Sequence, residues 1–288
     1  MPVRRSASLL SALLIAVALS PALQAASSPV VATAQVKAQL LSAMASYVPG
    51  EPVLLALRLQ PAPQWHISWR NPGDSGRATH IEWQLPTGSK ISPIAWPLPR
   101  RFDSGGLISF GYADDTWLLM EVTPPASADG DFTIAARASW LACRDTCTPG
   151  KGAIAGEGTF SLTLPRGRHA APSAEATTFA AAADRLPVEV DWPARFAIVD
   201  RTLQIEIAPP AGALQGKPQL FIAQQRLVDN GKPAQLQLLV NGIAISQPLS
   251  PHFREAPQQI DLILSLGNHG YAVRASRSDG DQRRTAWQ

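Results

Sequence analysis

The chain has 288 residues, room for two ordinary domains, and a formal net charge of only +3. Its charged side chains form no basic stripe, which argues against a nucleic-acid binder. Proline is abundant at 26 residues and helical periodicity is scarce, so the chain reads as mostly β.

Residues 1-26 read as a signal peptide. Arg4 and Arg5 supply the positive start, Leu9 to Leu19 the apolar run, and Pro21-Ala22-Leu23-Gln24-Ala25-Ala26 the small residues for cleavage. The apolar run is short for a bilayer span, and no later stretch approaches the roughly 18 apolar residues that a span needs. Cleavage leaves 23 basic against 22 acidic side chains. With nothing eukaryotic in the leader, the expected compartment is the bacterial periplasm, and the exported chain is expected to have no membrane span.

From Val31 to Leu40 polar and apolar residues alternate, which predicts an opening strand. Tyr47 to Pro52 is a turn, and Val53 to Leu59 predicts a second strand. Then comes WHISWRNPGDSG, residues 65 to 76, with Trp65, Ile67 and Trp69 on one face of a strand and His66 and Ser68 on the other. Thr79 to Leu85 alternates again, and the proline-rich stretch Ile94 to Pro99 belongs at an edge. Phe102-Asp103-Ser104-Gly105-Gly106 reads as flexible, followed by LISFGYADD over residues 107 to 115. Trp117 to Val122 and Phe132 to Ala142 complete the strands, the last running into Cys143. Thr159 to Pro165 closes a first β-sandwich over 29-166. Residues 167-187 form a linker with a helix from Ser173, its N-cap, to Leu186, ahead of Pro187. Residues 188-288 carry six further candidate strands, between Phe196 and Ala275, and an Asn241-Gly242 hairpin signal. They predict a second, smaller sandwich.

WLACRDTCTPG, residues 140 to 150, holds the only two cysteines, Cys143 and Cys147. A bridge across so short a loop removes only about 2 kcal/mol of unfolded-state entropy, against about 4.7 for a hundred-residue loop. It would also tie a turn to itself and leave the sheets unlinked. Bridging needs the Cα atoms within roughly 7 Å, whereas extended residues four apart stand about 13 Å apart. Arg144-Asp145-Thr146 must therefore reverse the chain. A structural bridge, a metal clip and a redox centre all stay open on these residues. For a metal, two thiolates supply half of a zinc site. His66, His80, His169, His252 and His269 make no short-spacing motif with them, and Met44 and Met120 are the only methionines beyond the leader for copper(I). No metal or other cofactor is expected.

The surrounding aromatics read mainly as structure. Six of the eight tryptophans lie between Trp65 and Trp140, enough to build most of one core. His66 fits a hydrogen-bonded strand histidine, and Asp74-Ser75 fits turn chemistry. Ser75, His66 and Asp74 make no hydrolase triad, since no nucleophile-elbow pattern surrounds the serine.

WHISWRNPGDSG, SFGYADD and WLACRDTCTPG, in this order on a β-rich exported chain, resemble the N-terminal periplasmic domain of the DsbD family of thiol:disulfide interchange proteins. The three residues between the cysteines are closest to its ScsB-type branch. The resemblance covers roughly residues 30 to 165, and the region from 186 onward resembles the second immunoglobulin-like unit of ScsB-type proteins. It implies an all-β fold of two immunoglobulin-like sandwiches and a redox-active pair. Such domains relay reducing equivalents from a membrane-embedded thiol transporter to thioredoxin-like periplasmic proteins, as protein-disulfide reductases. By motif position Cys147 matches the cysteine that joins partners and Cys143 the resolving one. The family's cap loop lays an aromatic over the disulfide; Phe110 is the first candidate here and Tyr112 the second. The larger relatives continue into membrane helices and a thioredoxin domain, so the resemblance implies a transporter on a separate chain. The competing expectation is a non-catalytic periplasmic binding module, of the kind that serves metal stress, with a structural disulfide.

Overall fold

The computed structural model describes residues 26–149, 151–213, 218–267 and 269–278, with the side chains of 145–151 outside that description. Nearly all of the expected leader therefore lies outside the described residues. The first part of the chain runs β1 (Val31–Ala32), β2 (Val36–Ser42), β3 (Val53–Pro61), β4 (His66–Gly73), β5 (His80–Gln84), β6 (Lys90–Ile91), β7 (Arg100–Ser104), β8 (Leu107–Tyr112), β9 (Thr116–Thr123), β10 (Phe132–Pro149) and β11 (Lys151–Leu164). One sheet has the order β1-β2-β3-β9-β6 and the other β11-β10-β4-β8-β7, with β5 also paired to β10.

Alternation explains why these layers face each other. In β2 Val36, Ala38 and Leu40 are buried while Lys37 is exposed, and in β10 Ile134, Ala136, Ala138, Trp140 and Ala142 are buried in the same way. Val36, Leu55, Leu57, Ile67, Trp69, Trp140 and Phe160 meet in one core between the sheets. The stretch read as one strand over 31–40 is instead two short antiparallel strands. Thr33 is the cause: its Oγ1 accepts from the amides of Gln35 and Val36 at 3.3 and 3.0 Å, a side-chain turn that competes with extension.

Two other local expectations are corrected. The segment around Phe102, read as flexible, is strand β7, joined to β8 by a tight turn at Gly105 and Gly106 with φ of 65° and 91°. The helix α1 spans Ala176–Ala183, shorter than expected, with Glu175 at its N-cap. Ser173 stands two residues before that cap: its hydroxyl accepts from the Glu175 amide at 3.2 Å in a side-chain turn and donates to the Ser42 carbonyl at 2.8 Å, pinning the approach to β2. Phe179 and Ala182 then pack against Leu41, Ala56, Trp117 and Leu119, on the outer face of the first sheet.

The second part runs β12 (Val188–Glu189), β13 (Ala194–Val199), β14 (Thr202–Ile207), β15 (Gln219–Ile222), β16 (Gln235–Leu239), β17 (Gly242–Pro248), β18 (Gln259–Leu266) and β19 (His269–Arg277). Strand β17 escaped the sequence reading, although the Asn241-Gly242 turn that leads into it did not: Leu239 pairs with Gly242. The strands form one hydrogen-bonded path, β15-β18-β19-β13-β14-β17-β16, with β12 on β19. Its core unites Ile222 of β15 with Ile243 and Ile245 of β17. Strands that far apart in a flat sheet cannot touch, so the sheet folds over its own core. Phe221 and Ile263 face the other way and join the first core, so the two β units share a packed boundary. Among the described residues no helix is long and apolar enough to cross a membrane.

Candidate redox site

The site grows from the end of β10. Along one edge this strand pairs with β11; along the other it pairs first with β5 and then with β4, where Ala142 meets Ile67 and Cys143 meets His66. The period of two turns Ala142 into the core and Cys143 to the opposite face, beside His66. There the ladder breaks. Cys143 pairs with Ala153, yet Pro149 pairs with Ala153 as well, so residues 144 to 147 leave the ladder between them. The chain reversal that the cysteine spacing demands is thus a bulge at the strand end. Cys143 is disulfide-bonded, and Cys147 is the one other cysteine in the sequence. Arg144, the first residue of the bulge, lies over the Trp65 ring at 5.2 Å.

Cys143 is fully buried although it faces away from the main core. On its sheet face His66 is also buried, and the Phe102 ring stacks on the imidazole with centroids 4.1 Å apart and planes 10° from parallel. Ser109, the partner of Phe102 across the β7–β8 hairpin, brings its Oγ to 3.2 Å from His66 Nε2. Burial lowers the His66 pKa to about 4, because the charged imidazolium loses water without gaining an anion.

That shift carries a pH dependence. The unfolded chain binds a proton at His66 near pH 6.5 and the folded chain only near 4. Between those values the unfolded state holds more protons, so stability falls as pH drops through this window. The loss is expected to approach about 3 kcal/mol at the acid end. Comparing urea unfolding of the wild type and His66→Gln at pH 7 and pH 4 checks it: the variant should lose distinctly less stability on acidification.

Phe110 and Tyr112 lie elsewhere. Tyr112 pairs with Ile67, so the alternation sends Tyr112 and Phe110 into the core, away from the Cys143 face. The Phe110 ring meets Trp69 and Phe221 edge-on at 6.4 and 5.6 Å. The Tyr112 hydroxyl donates to the Pro97 carbonyl at 2.7 Å, and burial raises its pKa well above the usual phenol value. The aromatic beside the cysteine strand is Phe102. Pairing residues outward from the Gly105-Gly106 turn would have found it, since that register sets Phe102 opposite Ser109.

The remaining candidates have settled partners. Asp74 accepts from the Ile108 amide at 2.9 Å and from Asn230 Nδ2 at 2.8 Å, and Asn71 Oδ1 accepts from the Gly73 amide at 3.1 Å, so this loop is turn chemistry. His80 faces Glu82 on an exposed strand. Among the described residues no group of three His, Cys, Asp or Glu side chains is placed to hold a metal ion.

The family model described as "Thiol:disulfide interchange protein DsbD, N-terminal" matches residues 35–157, which include both cysteines. The N-terminal periplasmic domain of ScsB from Proteus mirabilis superposes with a TM-score of 0.68 at 15% identity, covering 89% of this chain and 100% of that one. Tandem immunoglobulin domains of titin align at 11% identity over 85% of this chain and 98% of that one, but the TM-score of 0.19 establishes nothing about the fold. No curated protein matches the chain. The all-β class of immunoglobulin-like sandwiches is therefore the fold of this protein, and residues 35–157 form a DsbD N-terminal-like domain.

Proposed function

We propose that this chain is an exported, periplasmic thiol:disulfide oxidoreductase whose Cys143/Cys147 pair relays electrons from a separate membrane-embedded thiol transporter to thioredoxin-like proteins. The observation that carries this reading is the bulge between Cys143 and Thr148, which breaks the ladder at a disulfide-bonded cysteine inside the matched domain. In the reduced state the Cys147 thiolate attacks a partner disulfide, forms a mixed disulfide and releases one partner thiolate, which takes up a proton. The Cys143 thiolate then attacks Cys147 Sγ, releasing the partner as a dithiol and leaving the Cys143–Cys147 disulfide. A dithiol donor reverses these steps and restores the pair. The zero exposure of Cys143 supports its role as the resolving cysteine, since a partner cannot reach it directly.

The shield is assigned to Phe102, on its stacking over His66 beside Cys143. Phe102→Ala should speed reaction of the reduced pair with small oxidants about tenfold, whereas Phe110→Ala should chiefly lower stability by about 3 kcal/mol, as a core deletion does. Stopped-flow oxidation and urea unfolding of both variants separate the two roles.

Titration against glutathione buffers tests the function itself. A reduction potential in the range of exchange proteins, about −120 to −270 mV, is expected. A value below about −300 mV would instead mark a structural bridge in a non-catalytic binding module.

A further inference from the structure

We propose that the second β unit, β12 to β19, is a brace for the β7–β8 hairpin, and that Asn230 and Asp74 are positioning residues that hold Phe102 closed over the cysteine site. The inference rests on the exchange reading only in giving the closure a purpose.

The hairpin needs external support. Strand β7 is the edge of its sheet. Strand β8 is attached to β4 through Tyr112 with Ile67 and Gly111 with Ser68, then the register slips before Ser109 meets Gly73. A two-stranded ribbon on so short and broken a ladder is marginal in water. Yet Phe102 and Ser109, which cover His66, sit on this ribbon just past the break.

The second unit supplies the missing contacts on the opposite side. Phe221 of β15 meets Phe110 and Trp69 edge-on. Asn71, buried at the end of β4, donates to the Ile222 carbonyl at 2.7 Å, and Gln225 donates to the Arg70 carbonyl at 3.0 Å. Asp74 is the node of the arrangement. Its amide donates to the Ile108 carbonyl at 2.7 Å and its Oδ2 accepts from the Ile108 amide at 2.9 Å, while Oδ1 accepts from Asn230 Nδ2 at 2.8 Å. Asn230 sits in a turn anchored on the second unit, where Asp229 donates to the Pro248 carbonyl and accepts from the Gly231 amide. One carboxylate thus ties the second unit to Ile108, the residue before Ser109. Hydrogen bonds to a charged acceptor are the stronger kind, so losing this one shifts the hairpin toward local opening without unfolding either core.

The experiment measures the rate at which dithiothreitol reduces the Cys143 disulfide in the folded, full chain. Asn230→Ala should raise the rate about three- to tenfold, and Asn230→Asp, which sets a carboxylate against Asp74, should raise it further. The exchanged pair Asp74→Asn with Asn230→Asp can still accept from the Ile108 amide and donate between the two side chains, so its rate should return to within about twofold of wild type. A merely structural loss would lower the unfolding midpoint without this reciprocal rescue. Wild-type rates in both single variants, or an exchanged pair as fast as Asn230→Asp, would overturn the brace. The glutathione potential is read on the same samples and judges the exchange reading separately, because a shield alters rates in both directions without moving the equilibrium.

Discussion

Expressed in periplasm, Cys143→Ala should accumulate mixed disulfides with thioredoxin-like proteins through Cys147, and Cys147→Ala should accumulate none. The contrast is large because the two cysteines do different work in the proposed exchange. A mixed disulfide forms at the cysteine a partner can reach and persists only when the second cysteine is absent to resolve it. Cys143 is fully enclosed, opposite His66 on a face covered by the β7–β8 hairpin, so it is ill placed to meet a partner. Residues 144 to 147 leave the ladder, which brings the backbone of Cys147 out of the strand pairing. Non-reducing electrophoresis followed by mass spectrometry reads the result. Trapping by Cys147→Ala alone would reverse the assignment, and trapping by neither would sink the relay.

Gly111→Ala is the second large effect. In the folded chain a Cβ at residue 111 would collide with the Ile67 carbonyl oxygen and crowd the Ile67 carbonyl carbon at 3.0 Å and the Ser68 Cα at 3.3 Å. These are backbone atoms of β4, so no side-chain rotation relieves the clash; β8 must move away from β4 or the strand must deform. Overpacking of this sort costs about 3 kcal/mol or more, which for a chain of this size lowers the midpoint of thermal unfolding by roughly 6–12 °C. Moving β8 also carries Phe102 and Ser109 off His66, so the cysteine pair should become more reactive at temperatures where the variant remains folded. Gly106→Ala is the control. Nothing stands within 4 Å of its Cβ position, and its cost is the positive φ of 91° alone, about 1–2 kcal/mol. Calorimetry of the two variants together with thiol reactivity distinguishes a local strain from a detached hairpin. Equal losses in both would mean that the β4–β8 approach is not what holds the hairpin.

The candidate site is partly legible in the linear chain. Two cysteines too close in sequence to brace a fold, on a β-rich chain whose leader reads as an export signal, make a locally closed bridge a poor staple and leave a metal clip and a redox centre as the alternatives. The need for a reversal between them follows from strand rise alone, and the bulge supplies it. The position proposed for the shield is not legible there, for an equally physical reason. Phe110 and Tyr112 are the conspicuous aromatics of their stretch, but strand alternation turns both to the core. Phe102 sits beside glycines and polar residues that read as a flexible tip, and only the β7–β8 register reveals its partner.

By itself the sequence determined the β class, because alternation and proline content leave little else that could be buried. It also determined the cysteine-bearing strand end, because four positions cannot be bridged without a turn. The tertiary structure decided what lies around that turn. Which face Cys143 occupies depends on the register of β10 against β4, a pairing across more than 70 positions of sequence that no local pattern encodes. The role open to the second unit was equally invisible. Asn71, Asp74 and Asn230 are ordinary turn residues in the linear chain, and they become a clasp only when β15 and the 229–231 turn fold back onto β4 and β8. Local propensity is read over a few residues, whereas the covering of a disulfide is settled by strands that meet only after the whole chain has folded.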